Sequence, residues 1–140
     1  MATPVTVSLR GSFRTEVTAG KHSFVLDEPE SAGGTDEGPT PYDALGAALG
    51  GCTAMTLHFY ARREKFPLDG VDVEVHYNRE HAKDCAECTT TSGYIHRFRV
   101  VITLHGDLTA EQRTKLLEIA GRCPVAKTLG SEILIDESLA

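Results

Sequence analysis

The sequence lacks an apolar run long enough to span a membrane, and its amino terminus lacks the basic and apolar segments of a secretory signal. We therefore expect a cytoplasmic protein with no membrane association. In that compartment the four cysteines are expected to begin as free thiols. Their predicted uses are catalysis, redox sensing or metal binding rather than structural cross-linking.

Positive charge is also in short supply, with 14 basic residues against 20 acidic ones and a formal net charge of −6. This balance disfavours nucleic acid and anionic membrane surfaces as partners, so small molecules or a second copy of the chain are expected instead. Internal repeats and low-complexity segments are missing as well. A length of 140 residues suits one domain with a core, and we predict a single domain over residues 1–140.

Apolar alternation and turn residues predict an order of strands, long helix, strands, helix and strand. The opening is a predicted meander, followed by an exposed loop over Asp27–Pro39. Two long antiparallel strands contain Val71–Tyr77 and Phe98–Leu104. A capping box of Thr109 and Gln112 predicts a helix that ends near Cys123 and Pro124, with a short helix reaching Leu129. The remaining predicted strands are Val5–Leu9, Phe13–Thr18, His22–Leu26 and Ile133–Ile135.

The long helix is predicted to begin after Thr40, with Thr40 as its N-cap and Asp43 in its first turn. Three glycines in this helix predict a close approach of another backbone, because each weakens the helix by up to about 1 kcal/mol relative to alanine. Apolar residues at helical spacing place the Cys52 thiol on the predicted buried stripe. The stripe is Leu45, Ala48, Leu49, Cys52, Met55, Thr56 and Phe59, and the glycines are Gly46, Gly50 and Gly51.

Cys52 and Cys123 together indicate a redox pair. A thiolate attacked by an oxidant becomes a sulfenic acid, which a second thiol captures as a disulfide before further oxidation. Such a design uses one shielded nucleophile and one mobile resolving thiol. Cys52 is predicted to be the shielded nucleophile and Cys123 the resolver; the alternative is that both are small packing residues.

The segments Thr40–Asp43, Ala47–Cys52 and Arg122–Leu129, taken together, resemble the OsmC/Ohr family of osmotically inducible and organic-hydroperoxide-resistance proteins. The resemblance runs over nearly the whole chain. It implies an α+β, OsmC-like fold with antiparallel sheets around a long central cysteine-bearing helix, in an intertwined homodimer with sites at the subunit interface. It also implies a thiol peroxidase that requires no cofactor, reduces organic hydroperoxides to alcohols and is reset by a dithiol reductant.

By this resemblance Cys52 is the peroxidatic cysteine and Cys123 the resolving cysteine. Arg14, with Arg10 in reserve, corresponds to the arginine that holds the thiolate. Such a cation is expected because Cys52 lies too deep in its helix for the helix dipole to act strongly on the thiol. Asp43 is the predicted acidic partner, one place after the position where the best-known peroxidases of the family carry glutamate. The simpler alternatives are a surface ion pair for Arg14 and helix capping for Asp43.

The insertion between the two long strands contains His81, Cys85 and Cys88, three residues of the types that ligate zinc. A fourth ligand would come from Asp84, His76 or His96. The alternatives are a local Cys85–Cys88 disulfide and a hairpin tip whose thiols have no role. With zinc or redox chemistry in this insertion, the rival function is a non-enzymatic binding or redox-sensing protein of the same fold.

Overall fold

The computed structural model describes residues 3–140, and this part of the chain contains five strands, three α-helices and two short 3-10 helices. The predicted α+β class is confirmed. None of the helices in the described part combines the length and apolar character that crossing a membrane requires. The elements are β1 (Val5–Leu9), β2 (Thr15–Ala19), β3 (His22–Leu26), α1 (Pro41–Glu64), β4 (Gly70–His81), β5 (Tyr94–His105), α2 (Ala110–Ala120) and α3 (Pro124–Leu129).

Contacts along the chain define two compact units, one that extends to Leu45 and one from Gly46 to Ala140. The single-domain organisation therefore stays a prediction. In the first unit β1, β2 and β3 form an antiparallel sheet in that order, with Val17 of β2 opposite both Val7 and Phe24. Strands β1 and β3 have their predicted bounds, whereas β2 begins two residues later than predicted and ends at Ala19.

The segment after β3 is more ordered than the predicted exposed loop, because the carboxylate of Asp27 is buried within it. This carboxylate accepts hydrogen bonds from the Glu28 amide at 2.8 Å, the Thr35 hydroxyl at 2.8 Å and the Glu37 amide at 3.2 Å. The Thr35 hydrogen bond lowers the pKa of Asp27 and, with the two amides, outweighs the opposing effect of burial. Asp27 thus fixes the conformation of the loop from within.

Helix α1 begins at the predicted cap. The Thr40 hydroxyl accepts a hydrogen bond from the Asp43 amide at 3.2 Å, and the Asp43 carboxylate accepts one from the Thr40 amide at 3.0 Å. This reciprocal arrangement satisfies two backbone donors that the first helical turn leaves unpaired. The structure therefore shows Asp43 in a capping role.

In the second unit, α1 and α2 enclose a core in which Leu57 and Leu116 are fully buried beside Ala61 and Ile119. The buried face of α1 differs from the predicted stripe, and consists of Leu49, Gly50, Thr53, Leu57 and Ala61. Both sides of α1 are apolar, so periodicity did not decide between them. The small residues decide which face is buried, because they leave room for the neighbouring strand. A Cβ at Gly50 would lie 3.1 Å from Val75 of β4.

The predicted close approach of another backbone is not found at Gly50 or Gly46, because the nearest atoms that a Cβ would meet belong to the Val75 side chain, at 3.1 Å from Gly50 and 3.8 Å from Gly46. It is wrong for Gly51 as well, since a Cβ there would meet no atom within 4 Å in the described chain. The three glycines thus differ in purpose although they are neighbours in sequence.

Strands β4 and β5 form an antiparallel hairpin that pairs every residue from Gly70 with His105 to His81 with Tyr94. The hairpin is longer than predicted, because the residues on both sides of the insertion, up to His81 on β4 and from Tyr94 on β5, also pair as strands. The capping box at the start of α2 is confirmed, with the Thr109 hydroxyl accepting from the Gln112 amide at 3.1 Å. Helix α3 also lies where predicted.

The predicted final strand at Ile133–Ile135 is wrong for the described chain, in which these residues are irregular. Leu134 is 83% exposed, and the two neighbouring isoleucines are also exposed. Three apolar residues in a row carry strand propensity, but a strand forms only when a neighbour supplies hydrogen-bonding partners. In the described residues, no strand of either sheet pairs with this segment.

Candidate active site

Cys52 lies on α1 and lines a cavity of about 600 Å³ in the second unit. Its thiol is free and half-buried. The cavity is bordered mostly by apolar side chains, and two of them are widely exposed, Met55 at 73% and Phe59 at 67%. Its lining consists of Ala47, Ala48, Gly51, Cys52, Met55, Thr56, Phe59, Arg122 and Pro124. An oxidisable sulfur therefore lies in the wall of an apolar cleft that solvent can enter.

Cys123 is the N-cap of α3 and is fully buried, with 0% of its surface exposed. Burial alone would raise the pKa of the Cys123 thiol, but hydrogen bonds outweigh it and lower that pKa. The strongest of them is donated by the Cys52 thiol, and the Ala126 and Val125 amides and the Thr53 hydroxyl add to it. The Thr53 hydroxyl has a second acceptor in reach, the Leu49 carbonyl oxygen at 2.9 Å.

The structure thus brings the two predicted redox cysteines into hydrogen-bonding contact. Their surroundings are the reverse of the prediction. Cys52 was expected to be shielded and Cys123 mobile, yet Cys52 faces the cavity and Cys123 is buried and held by several donors. The reason is the orientation of α1, whose Thr53 face is buried while its Cys52 face lines the cleft.

Arg122 is the charged member of the described residues that line the cavity. Its guanidinium donates to the Glu118 carboxylate at 2.9 Å, one helical turn earlier, and both side chains are more than half exposed. Sequence reasoning passed over this arginine, although its position directly before Cys123 was a usable signal. Arg122 thus places a positive charge in the wall of the cleft that contains the Cys52 thiol.

Arg14 and Asp43 belong to the first unit. Arg14 pairs with Glu16 at 3.0 Å and Glu37 at 3.7 Å, and the hydrogen bond to Glu16 is the main cause of its raised pKa. Arg10, the reserve candidate, donates to the Ser8 hydroxyl. The structure thus shows a surface ion pair for Arg14 and a capping role for Asp43, and their catalytic roles stay predictions.

Two thiols of the insertion, Cys85 and Cys88, are joined in a disulfide. The expectation that all four cysteines are free thiols is therefore wrong, and the structure shows the disulfide alternative. Zinc prefers thiolates, which a disulfide does not offer, and the His81 ring packs on Tyr94 with centroids 4.7 Å apart. Among residues 3–140, no three His, Cys, Asp or Glu side chains form a group that could hold a metal ion.

The sequence of the cysteine-bearing part of the chain decides the family. Residues 34–138 match the family described as OsmC-like protein. The chain belongs to the OsmC-like family. Among curated proteins, none matches it.

Solved structures with the OsmC-like fold superpose on most of this chain. An OsmC-like protein from Mycoplasma pneumoniae has a TM-score of 0.75 at 17% identity, covering 93% of this chain and 88% of its own. An organic hydroperoxide resistance protein OsmC from Legionella pneumophila has a TM-score of 0.66 at 18% identity, covering 92% and 89%. The organic hydroperoxide resistance protein OhrB of Bacillus subtilis has 0.60 at 22% identity, covering 89% of each chain. At these identities the likeness concerns the fold.

Proposed function

We propose that this OsmC-like protein is a thiol peroxidase that reduces organic hydroperoxides to alcohols. The observation that carries the proposal is the hydrogen-bonded pair of Cys52 and Cys123, with Cys52 in the wall of an apolar cavity. Two structural relatives named for organic hydroperoxide resistance support the choice of substrate class.

In the proposed reaction the Cys52 thiolate attacks the outer oxygen of the hydroperoxide, and the O–O bond breaks. The alkoxide takes up a proton and leaves as the alcohol, while Cys52 becomes a sulfenic acid. Cys123 then attacks the Cys52 sulfur, water departs, and a disulfide forms. A dithiol reductant restores both thiols by two exchange steps.

The lowered pKa of Cys123 suits the resolving step, because the attacking species in disulfide formation is a thiolate. Its burial keeps peroxide from Cys123 and leaves Cys52 as the sulfur that peroxide reaches. Arg122 supplies a cation at the same cavity, where it can stabilise the developing alkoxide. Arg14 and Asp43 are proposed, on the family resemblance, as the further arginine and acid of the site.

The apolar lining favours hydroperoxides with organic tails over hydrogen peroxide. Of the residues expected to make this surface, Met55 and Phe59 do line the cavity, whereas Leu49 is buried and does not belong to the lining. Met55 and Phe59 are also the most exposed large apolar residues of α1, and a second copy of the chain would cover them. We therefore propose a homodimer in which the partner helps to close the cleft.

The proposal is tested by the consumption of cumene hydroperoxide by the reduced protein with a dithiol. Wild type should turn over, Cys52→Ser should lose activity by at least about a hundredfold because it removes the nucleophile, and Cys123→Ser should stop after one turnover with Cys52 over-oxidised. Leu117→Ala, an exposed change on α2, is the matched control and should behave as wild type.

Retention of activity in Cys52→Ser would overturn the proposal. Turnover of hydrogen peroxide as fast as that of cumene hydroperoxide would contradict the assignment of organic substrates while leaving the thiol chemistry intact.

A further inference from the structure

The proposed peroxidase leaves one sulfur group unused, the Cys85–Cys88 disulfide at the end of the β4–β5 hairpin. Its two sulfurs differ in surroundings. Cys85 is buried, with 9% exposed, and follows the short helical turn Ala82–Asp84, where its amide donates to the Ala82 carbonyl at 3.1 Å. Cys88 is only half-buried. An incoming thiol therefore reaches Cys88 more readily than Cys85.

The guanidinium of Arg97 on β5 lies beside the sulfur of Cys85. Its Nη2 atom lies 3.5 Å from Cys85 Sγ and donates to Glu87 at 3.1 Å, while its Nε atom donates to Glu80 at 2.6 Å. The two carboxylates hold the guanidinium in place, on the strand side and on the loop side. Arg97 is thus fixed with an N–H group toward the buried sulfur and not toward the accessible one.

We propose that Cys85 and Cys88 form a second redox-active couple, in which reducing thiols attack Cys88 Sγ and Cys85 Sγ leaves toward the Arg97 guanidinium. The argument is chemical. Exchange is faster when the leaving sulfur is stabilised as a thiolate, and a charge-assisted hydrogen bond from a fixed guanidinium provides that stabilisation. Cys88 is the more accessible sulfur and Cys85 is the one stabilised as a leaving thiolate, so attack on Cys88 is favoured over attack on Cys85.

The step balances with a dithiol as the reductant. One of its thiolates bonds to Cys88 Sγ as the Cys85–Cys88 bond breaks, and the bonding electron pair stays on Cys85. The second thiolate of the reductant then attacks its own sulfur in the mixed disulfide and releases Cys88 as a thiolate. The protein disulfide is reduced by two electrons, and the reductant leaves as a cyclic disulfide.

The first test uses the Cys52→Ser/Cys123→Ser variant, in which Cys85 and Cys88 are the remaining cysteines. This background separates the proposal from the peroxidase, whose failure would leave the result unaffected. Oxidised protein is treated briefly with glutathione, the free thiols are alkylated, and the products are mapped by peptide mass spectrometry. We expect glutathione on Cys88 and the alkyl group on Cys85. Equal labelling, or glutathione mainly on Cys85, would overturn the proposal.

The second test measures the rate of disulfide opening by dithiothreitol in the same background. Arg97→Gln should slow opening roughly tenfold, which corresponds to the loss of one charge-assisted hydrogen bond. Arg99→Gln is the matched control, since it removes the same charge two residues later on the same strand and Arg99 is exposed. Its rate should stay at the parent value. Equal rates in both variants, or equal slowing, would overturn the role of Arg97.

Discussion

At the scale of single residues, Cys123 shows how local donors can reverse the usual effect of burial. A buried thiol without partners is poorly ionised, yet the Cys52 thiol and the Ala126 and Val125 amides lower the pKa of Cys123. The price is a polar arrangement that the fold must maintain around one sulfur. This arrangement ties the stability of the reduced protein to pH.

Because the pKa of Cys123 is lower in the folded than in the unfolded chain, its thiolate stabilises the fold fully only above the ordinary thiol value of 9.0. As the pH falls through the folded-state pKa, this contribution is lost. Urea unfolding of the reduced protein should therefore show the stability of wild type relative to Cys123→Ser rising with pH below 9.0. A pH-independent difference between the two proteins would contradict the lowered pKa.

Single residues also show where sequence reasoning succeeds. The pairing of Cys52 with Cys123 was predictable because the two segments around them resemble a known family as a set. The roles of Arg122 and Asp27 were not predictable, because each depends on groups that only the folded chain brings together. Arg122 lies in the wall of a cavity, and Asp27 accepts hydrogen bonds from two amides and a hydroxyl. Asp43 was predictable as a cap, because its partner Thr40 is three residues away.

At the scale of elements, local signals predicted starts and turns, while tertiary partners decided faces and strands. The capping box of α2 and the β4–β5 alternation need only neighbouring residues, and both are confirmed. The buried face of α1 depended on which side β4 approaches. The strand at Ile133–Ile135 needed a pairing partner, and no strand of the described chain pairs with this segment.

The glycines of α1 allow a matched test of this packing. Gly46→Ala should stabilise the protein by up to about 1 kcal/mol, because alanine favours the helix and its Cβ meets Val75 at 3.8 Å, an ordinary contact. Gly50→Ala gains the same helix propensity but places its Cβ 3.1 Å from Val75, and crowding of this kind costs roughly 1–3 kcal/mol. Urea unfolding should rank Gly46→Ala above Gly50→Ala; the opposite order would contradict the described packing.

At the scale of the whole molecule, the proposed homodimer explains why α1 carries large apolar side chains on the surface of the described chain. Met55→Glu should convert the dimer to monomers, because a buried, unpaired carboxylate opposes association. Size-exclusion chromatography with light scattering measures this directly. Leu117→Glu is the matched control, since Leu117 is 68% exposed on α2 and Met55 is 73% exposed on α1. A dimeric Met55→Glu protein would place the interface elsewhere.

The contact between Cys52 and Cys123 joins positions about 70 residues apart in the sequence, so a bond between them would turn half of the chain into a closed ring. A ring of that size removes unfolded-state entropy worth on the order of 4 kcal/mol. Each cycle of the proposed peroxidase reaction would then alternate between a less stable reduced chain and a more stable oxidised one. Proteases would degrade the protein fastest when reductant is plentiful and peroxide is scarce. Its lifetime in the cell would then increase with the supply of peroxide.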